Sequence, residues 1–239
     1  MIGKKSNKKF IGGLAVALLL PLSFYLIAKL LSKDKIYLPR YYGIAHIDSS
    51  TDNGKSVYDT TYRRVADVVL TNQLGREVSL NSDLQGKILV VSFFFTSCQT
   101  ICPKLTNSML LLQRAFKKDP KKESAFDTTV HLISVSVDPG RDSFSALRTY
   151  ADAHGVDHDR WWMLTGDRNV IYDFARNEIG VSVQPTTGGT DDLIHTQKLV
   201  LIEKDRHIRG YYDGLDSADL KRCADDIILL TLEKKRKKQ

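Results

Sequence analysis

Nineteen consecutive uncharged, mostly apolar residues, Phe10 to Ala28, stand near the start of the chain between two groups of lysines. At 1.5 Å per residue a helix of that length matches a hydrocarbon core about 30 Å thick, so residues 10–31 are predicted to form a transmembrane helix, with Pro21 tolerated inside it. Lys4, Lys5, Lys8 and Lys9 favour the cytoplasmic side for the preceding segment, which places everything after Ser32 across the membrane. The stretch exceeds the apolar part of a cleavable signal peptide and no small-x-small cleavage site follows it, so it reads as a retained anchor. No cysteine follows it to suggest a lipoprotein, and no long Arg- and Ser-rich presequence suggests mitochondrial import. The expected location is the bacterial inner membrane, single-pass, with the C-terminal domain facing the periplasm.

Residues 33 to about 62 are polar and turn-rich without a sustained period, as in a spacer. Beyond them Val65–Leu70 and Arg76–Leu80 read as a β-hairpin across Asn72-Gln-Leu-Gly75, and Lys87–Phe95 (KILVVSFFF) as a strand buried on both faces. From Pro103 to Lys118 the apolar positions Leu105, Met109, Leu112 and Phe116 recur at helical spacing. Thr129–Val137 predicts another strand, Asp142–His154 a helix begun by an Asx or Ser cap, and Asn169–Glu178 a helix ending at Gly180. Gln197–Glu203 and His207–Tyr212 suit a hairpin across Lys204-Asp205-Arg206, and Asp216–Leu232 an amphipathic terminal helix. Strand, helix, strand, helix, hairpin and helix in that order predict an α/β, thioredoxin-like mixed sheet with helices on both faces. The chain then divides into a cytoplasmic basic segment (1–9), the anchor (10–31), a spacer (32–61), the thioredoxin-like domain (62–233) and a basic tail (234–239).

Composition, 42% hydrophobic and 26% charged, excludes a disordered or collagenous chain. The net charge of +7 invites a nucleic-acid partner until its location is read. Residues 1–31 and the tail Lys234–Lys238 each carry five basic residues and no acid, which leaves the remaining body at −3. Nucleic acid is therefore not an expected partner, and the tail reads as solvated, or at most as a weak contact with anionic lipid. Three cysteines, Cys98, Cys102 and Cys223, are too few for a disulfide framework.

Cys98 and Cys102 lie four positions apart where the buried strand meets the following helix. There the helix dipole and free N–H groups favour thiolate over thiol. The i, i+4 spacing can bring both sulfurs to one face, to form a reducible disulfide or to grip one metal ion. CxxxC rather than CxxC argues against an ordinary thioredoxin-type oxidoreductase. Of six histidines, His46, His131, His154, His158 and His207 read as ordinary packed or exposed residues. His195, in the loop entering the strand KLVLIE, differs: in a thioredoxin-like fold that loop passes beside the N-terminus of the cysteine-bearing helix. A Cys2His set suits Cu(I) best, with Zn(II) admissible on ligand type alone. Asp138, in the turn SVDPGRD, is either an outer group near that site or a turn-former. Cys223, Trp161 and Trp162 read as packing residues.

The runs FFFTSCQTICPKL, SVSVDPGRD followed by a helix ending in Tyr150, WWMLTGD and IHTQKLVLIEKDRHIRGYYDG resemble the Sco (SenC) family of membrane-anchored copper proteins, in matching order over about residues 62–232. The resemblance implies that Cys98, Cys102 and His195 hold copper, as Cu(I) first and Cu(II) second. It also implies delivery to the binuclear copper site of cytochrome c oxidase, or thiol reduction of that site's cysteines. The implied partners are the oxidase's copper-site subunit, a copper donor protein and, through the N-terminal helix, a membrane. The chain departs from the usual family pattern at Gln99, where many members have Pro, and at Ile194, where an acidic residue often precedes the histidine. Those positions bear on redox potential and on the histidine's hydrogen bonding. The expected function is that of a copper chaperone rather than an enzyme, with a thiol–disulfide oxidoreductase or a copper or redox sensor as alternatives on the same residues.

Overall fold

The computed structural model describes residues 8–31, 38, 41–52, 55–116, 129–181 and 196–233. Two compact units divide the chain, one of Tyr37–Glu233 and one of the terminal segments Met1–Ile36 and Lys234–Gln239. The second contains helix α1, Lys8–Leu31, whose apolar side chains from Leu14 to Ile27 lie exposed. Among the described residues no helix is long and apolar enough to cross a membrane.

In the larger unit seven strands form one mixed sheet. Its centre is β5 (Ile88–Phe94) beside β6 (Val130–Ser136), parallel and in register from Ile88 opposite Val130 to Phe94 opposite Ser136; every residue of both is buried. Such mostly apolar runs, interrupted by Ser92 in β5 and by His131, Ser134 and Ser136 in β6, suit strands covered on both faces. Next to β6 lies β7 (Trp161–Thr165), parallel to it, then β3 (Val69–Asn72) and β4 (Glu77–Ser79), an antiparallel hairpin. On the other side of β5 comes the antiparallel hairpin β8 (Lys198–Ile202) and β9 (Ile208–Asp213). Single bridges from Tyr42 to Ile208 and from Arg64 to His207 fasten the incoming chain to the end of β9.

Successive strand residues point to opposite faces, and Phe93 and Phe94 show which helices cover each. Phe94 meets Tyr150 of α3 (Phe144–His154), which stands beside α2 (Ile101–Ala115) through the Thr106–Tyr150 hydroxyl contact at 3.0 Å. On this face too, α5 (Ser217–Leu232) receives the Tyr212 hydroxyl on Asp226 at 2.6 Å. Phe93 meets Phe174 on the opposite face, where α4 (Arg168–Asp173) continues into one π-helical turn, Phe174–Glu178. The expected thioredoxin-like plan is therefore present, with helices on both faces.

Three local features differ from the sequence reading. The region read as a spacer contains an antiparallel hairpin, β1 (Ile44–Asp52) and β2 (Lys55–Tyr62). Asp52 pairs with Lys55, so Asn53 and Gly54 alone separate the strands, and Asn-Gly is a strong hairpin signal even between polar strands. Trp161–Thr165, read only as part of a motif, is the strand β7. Helix α2 starts at Ile101, so Pro103 sits in the third helical position; no N–H in the first turn has an intrahelical partner, and proline costs nothing there. Residues 117 and 118 of the predicted helix lie outside the described residues.

Candidate metal centre

Strand β5 ends at Phe94, and the turn Phe95–Thr100 carries the chain into α2. Cys98 sits in that turn and Cys102 in the helix's first turn, 7% and 1% exposed. The backbone N–H of Cys102, one of the four that a helix start leaves unpaired, donates to Cys98 Sγ at 3.2 Å. The two sulfurs are not joined in a disulfide. Burial raises both thiols, Cys102 more, and their hydrogen-bonding surroundings differ. Burial raises the Cys98 thiol, yet its contact with the Cys102 side chain and the N–H groups of Cys102, Thr100 and Ile101 outweigh it and hold the pKa below the ordinary thiol value. For Cys102 burial dominates, the contact with Cys98 and the negative charge of Asp142 add to it, and its pKa is pushed up to about 12. One sulfur is thus prepared as thiolate and the other kept as thiol.

Asp142 is a feature that the sequence reading passed over. Taken there as the possible cap of α3, it leaves that role to Ser143, whose hydroxyl accepts from the Ala146 N–H at 3.3 Å. Asp142 instead turns inward, fully buried, and accepts from the Thr96 N–H at 3.0 Å, from the Thr96 hydroxyl and from the Ser136 hydroxyl at 2.6 Å. It thereby ties the cysteine turn to the end of β6. The signal for it was the pairing of Thr96 and Asp142 just past two adjacent parallel strands, which a linear reading does not bring together. Tyr150 stands over the same site: burial raises its pKa first, and the charges of Cys102 and Cys98 add to the shift.

Asp138 is placed in the loop after β6, also near the C-terminal end of the sheet, but its carboxylate faces Arg141, and Arg168 at 3.7 Å. The ion pairs account for its burial, and its N–H donates to Ser136 Oγ at 3.1 Å. His195 lies outside the described residues. Among the described residues no group of three His, Cys, Asp or Glu forms a metal-sized cluster. The other histidines have separate surroundings: His46 pairs with Asp48, His158 with Asp152, His207 with Glu203, His154 stacks on Tyr150, and His131 is buried in β6 against Trp162. Cys223 is fully buried on α5, and burial raises its thiol strongly. Trp161 is core, its Nε1–H donating to Ser134 Oγ at 2.9 Å, and Trp162 is half-buried.

Chemically, two sulfurs on one side of a helix start, one thiolate-prone, form a soft donor pair for a metal ion and equally a dithiol for exchange. Relatives carry the same arrangement of elements. The chain is 33% identical over 176 residues, 73% of its length, to the SCO1 protein homolog of Bacillus subtilis (strain 168), covering 84% of that protein. A solved structure of BsSco, described as a member of the Sco family of cytochrome c oxidase assembly proteins with a disulfide switch, matches 72% of the chain and 95% of its own (TM-score 0.61, 31% identity). Bradyrhizobium japonicum ScoI, solved with copper bound, shares the fold at TM-score 0.56 and 22% identity, over 70% of this chain and 99% of its own. A model of the SCO1/SenC family matches residues 58–228, which include the whole seven-stranded sheet, the cysteine turn and most of α5, and the chain belongs to that family.

Proposed function

We propose that this chain is a membrane-anchored copper-binding protein that supplies Cu(I) to the copper-site subunit of cytochrome c oxidase during assembly. The observation that supports it is the cysteine turn itself, in which Cys98 and Cys102 offer two sulfurs at the start of α2. Both must be thiolates to hold the ion, and His195 is the proposed third ligand. A three-ligand site leaves one face through which a recipient's sulfur takes the ion by ligand exchange. Residues 10–31 are the proposed membrane span, since Phe10–Ala28 holds no charge, and the basic flank before it orients the larger unit toward the periplasm.

Because Cys102 is held as thiol up to about pH 12, copper displaces its proton on binding. Affinity for Cu(I) should rise with pH across the neutral range, roughly tenfold per unit for each thiol still protonated. Competition against a chromogenic Cu(I) chelator tests the reading. Wild type should hold one Cu(I) far more tightly than Cys98→Ser or Cys102→Ser, with His195→Ala weaker by one to two orders of magnitude; equal affinities for wild type and Cys98→Ser would abandon it.

The unequal cysteines also favour a second reading, reduction of a disulfide in the oxidase subunit. Cys98 thiolate would attack one sulfur of that disulfide, and Cys102 would then lose its proton and displace the mixed disulfide. Two electrons pass to the substrate and a Cys98–Cys102 disulfide remains. His195→Ala separates the two readings, since exchange of thiols does not require the histidine.

A further inference from the structure

Two guanidinium groups converge on one carboxylate at the same end of the sheet as the cysteine turn. Asp138, its side chain 7% exposed, lies in the loop after β6, and Arg141 Nε donates to its Oδ2. One cation suffices to neutralise one buried carboxylate. Arg168, the first residue of α4, nevertheless comes within 3.7 Å of the other oxygen, Oδ1, too far for a hydrogen bond. Among the described residues its guanidinium donates no hydrogen bond. It lies over the ring of Tyr172, 5.8 Å from the centroid, and the side chain is 52% exposed. The neighbouring acids are engaged elsewhere: Asp167 accepts from the N–H groups of Asn169 and Val170 at 2.8 and 3.2 Å, and Asp142 from Thr96 and Ser136. Arg168 therefore keeps its planar fork of N–H donors for a group from outside.

The place of that fork decides what reaches it. Strands β5, β6 and β7 are parallel neighbours, so the cysteine turn after β5, Asp138 after β6 and Arg168 after β7 share one end of the sheet. With about 4.8 Å between neighbouring strands, the ends of β5 and β7 are roughly 10 Å apart. Hydrogen bonds cross part of that distance, from Asp138 N–H to Ser136 Oγ, from the Ser136 hydroxyl to Asp142, and from Thr96 N–H to the same Asp142 carboxylate. Whether the cysteines pass on copper or exchange thiols, a sulfur of another protein has to come within bonding distance of them. An interface of ordinary size covers about 800 Å² of each partner, a patch about 16 Å in radius, so one centred on Cys98 takes in the end of β7.

Resting on the reading that the cysteine turn exchanges copper or thiols with another protein, we propose that Arg168 is a docking contact for a carboxylate side chain of that protein. Asp138 and Tyr172 hold the guanidinium in place, and the incoming carboxylate takes the donors they leave free. Guanidinium and carboxylate meet in a two-pronged, directional contact, which fixes how the incoming sulfur faces Cys98 as well as adding attraction. The partner's surface is accordingly acidic about 10 Å from its reacting sulfur.

The full chain carrying Cys102→Ala, in which adducts at Cys98 persist, is equilibrated in detergent with glutathione disulfide and two competing peptides. Each peptide has one cysteine; three and four residues beyond it, within about 14 Å of extended chain, one carries two glutamates and the other two glutamines. Cys98 thiolate takes one half of glutathione disulfide and a peptide thiolate then displaces the glutathione, each step breaking one S–S bond, forming another and releasing one thiolate. Mass spectrometry reads the ratio of the two peptide adducts at Cys98, divided by the ratio of the peptides' own glutathione adducts in the same solution. At low salt the glutamate peptide should lead about fivefold, and Arg168→Gln should bring the ratio to about one. Arg148→Gln, which removes a half-exposed arginine paired with Asp152 on α3, should leave it near fivefold. A ratio of one before any arginine is changed, a lead that survives Arg168→Gln, or an equal loss in Arg148→Gln overturns the docking contact and leaves the exchange reading standing. If Cys98 takes up neither peptide, no partner sulfur reaches it, and the exchange reading falls together with the proposal that rests on it.

Discussion

Cys98 stands in the turn just before α2 and Cys102 in the helix's first turn, and that helix start decides their chemistry. Four N-terminal N–H groups of a helix have no intrahelical partner, and those of Thr100, Ile101 and Cys102 are spent on Cys98 sulfur. Thiolate is the nucleophile, so a lowered pKa moves the onset of alkylation to lower pH. In the reduced, metal-free chain iodoacetamide should modify Cys98 at least tenfold faster than Cys102 at neutral pH, and the midpoint of its rate profile should fall below 9.0. Cys102→Ala, which removes the side-chain donor beside it, should move that midpoint upward; peptide mapping of the alkylated sites reads both. A different residue governs acid stability. His131, 4% exposed within β6, has its pKa lowered to about 3 by burial, with the charges of Lys87 and Arg160 adding. It folds neutral, whereas the unfolded chain takes up a proton below about 6.5, so its stabilising contribution is complete above that pH and declines as pH falls toward 3. Linkage gives a loss of about 2 kcal/mol between pH 7 and pH 5. Urea unfolding of the detergent-solubilised chain should show that slope, and His131→Leu should remove it.

Helix α2 carries the cysteine turn, and its seat is set by the corner after β9. The carbonyl of Gly214 accepts from Ser108 at 2.6 Å, and a Cβ at Gly214 would stand 2.3 Å from Leu105 Cδ1 and 3.0 Å from the Gln197 carbonyl oxygen. Gly214→Ala therefore requires α2 or β8 to shift; it should cost about 1–3 kcal/mol in denaturant unfolding and alter the reduction potential of the cysteine pair. Element by element, the sequence is most legible where burial is two-sided. β5 and β6 stand out as mostly apolar, β-branched-rich runs, and Ser143 and Asp216 mark helix starts in the usual way. β7 does not, because five residues between Arg160 and Gly166, four of them buried, are too few to distinguish strand from helix by period. β1 and β2 have no apolar face to betray them, only Asn53-Gly54. Cys98 and Cys102 are legible from spacing and place, whereas Asp142 is found only once β5 and β6 are side by side, since its partners Thr96 and Ser136 lie 46 and 6 positions away.

Across the whole of the larger unit, distant segments meet at the corner that Arg209 fills, its fully buried guanidinium donating to the Leu38 carbonyl and to Glu203 and Glu233. Arg209→Met leaves Glu203 and Glu233, 15% and 17% exposed, without that cation; removing one partner of a fully buried pair typically costs about 3–5 kcal/mol, and the partial exposure of the two acids puts the expected loss at the lower end of that range or below it. Hydrogen exchange should speed up first at Tyr41–Gly43 and in the last turn of α5, with the amides of β5 and β6 the last to follow. The same corner has one more effect. A sheet presents, along each outermost strand, a row of N–H and C=O groups to which any passing chain could add itself. Here β4 has only three residues, and the bridges at Tyr42 and Arg64 occupy the end of β9. With residues 10–31 as the proposed membrane span, copies of the protein would collide far more often than proteins free in three dimensions, and the blunted edges would let such collisions end in separation instead of strand addition and clustering.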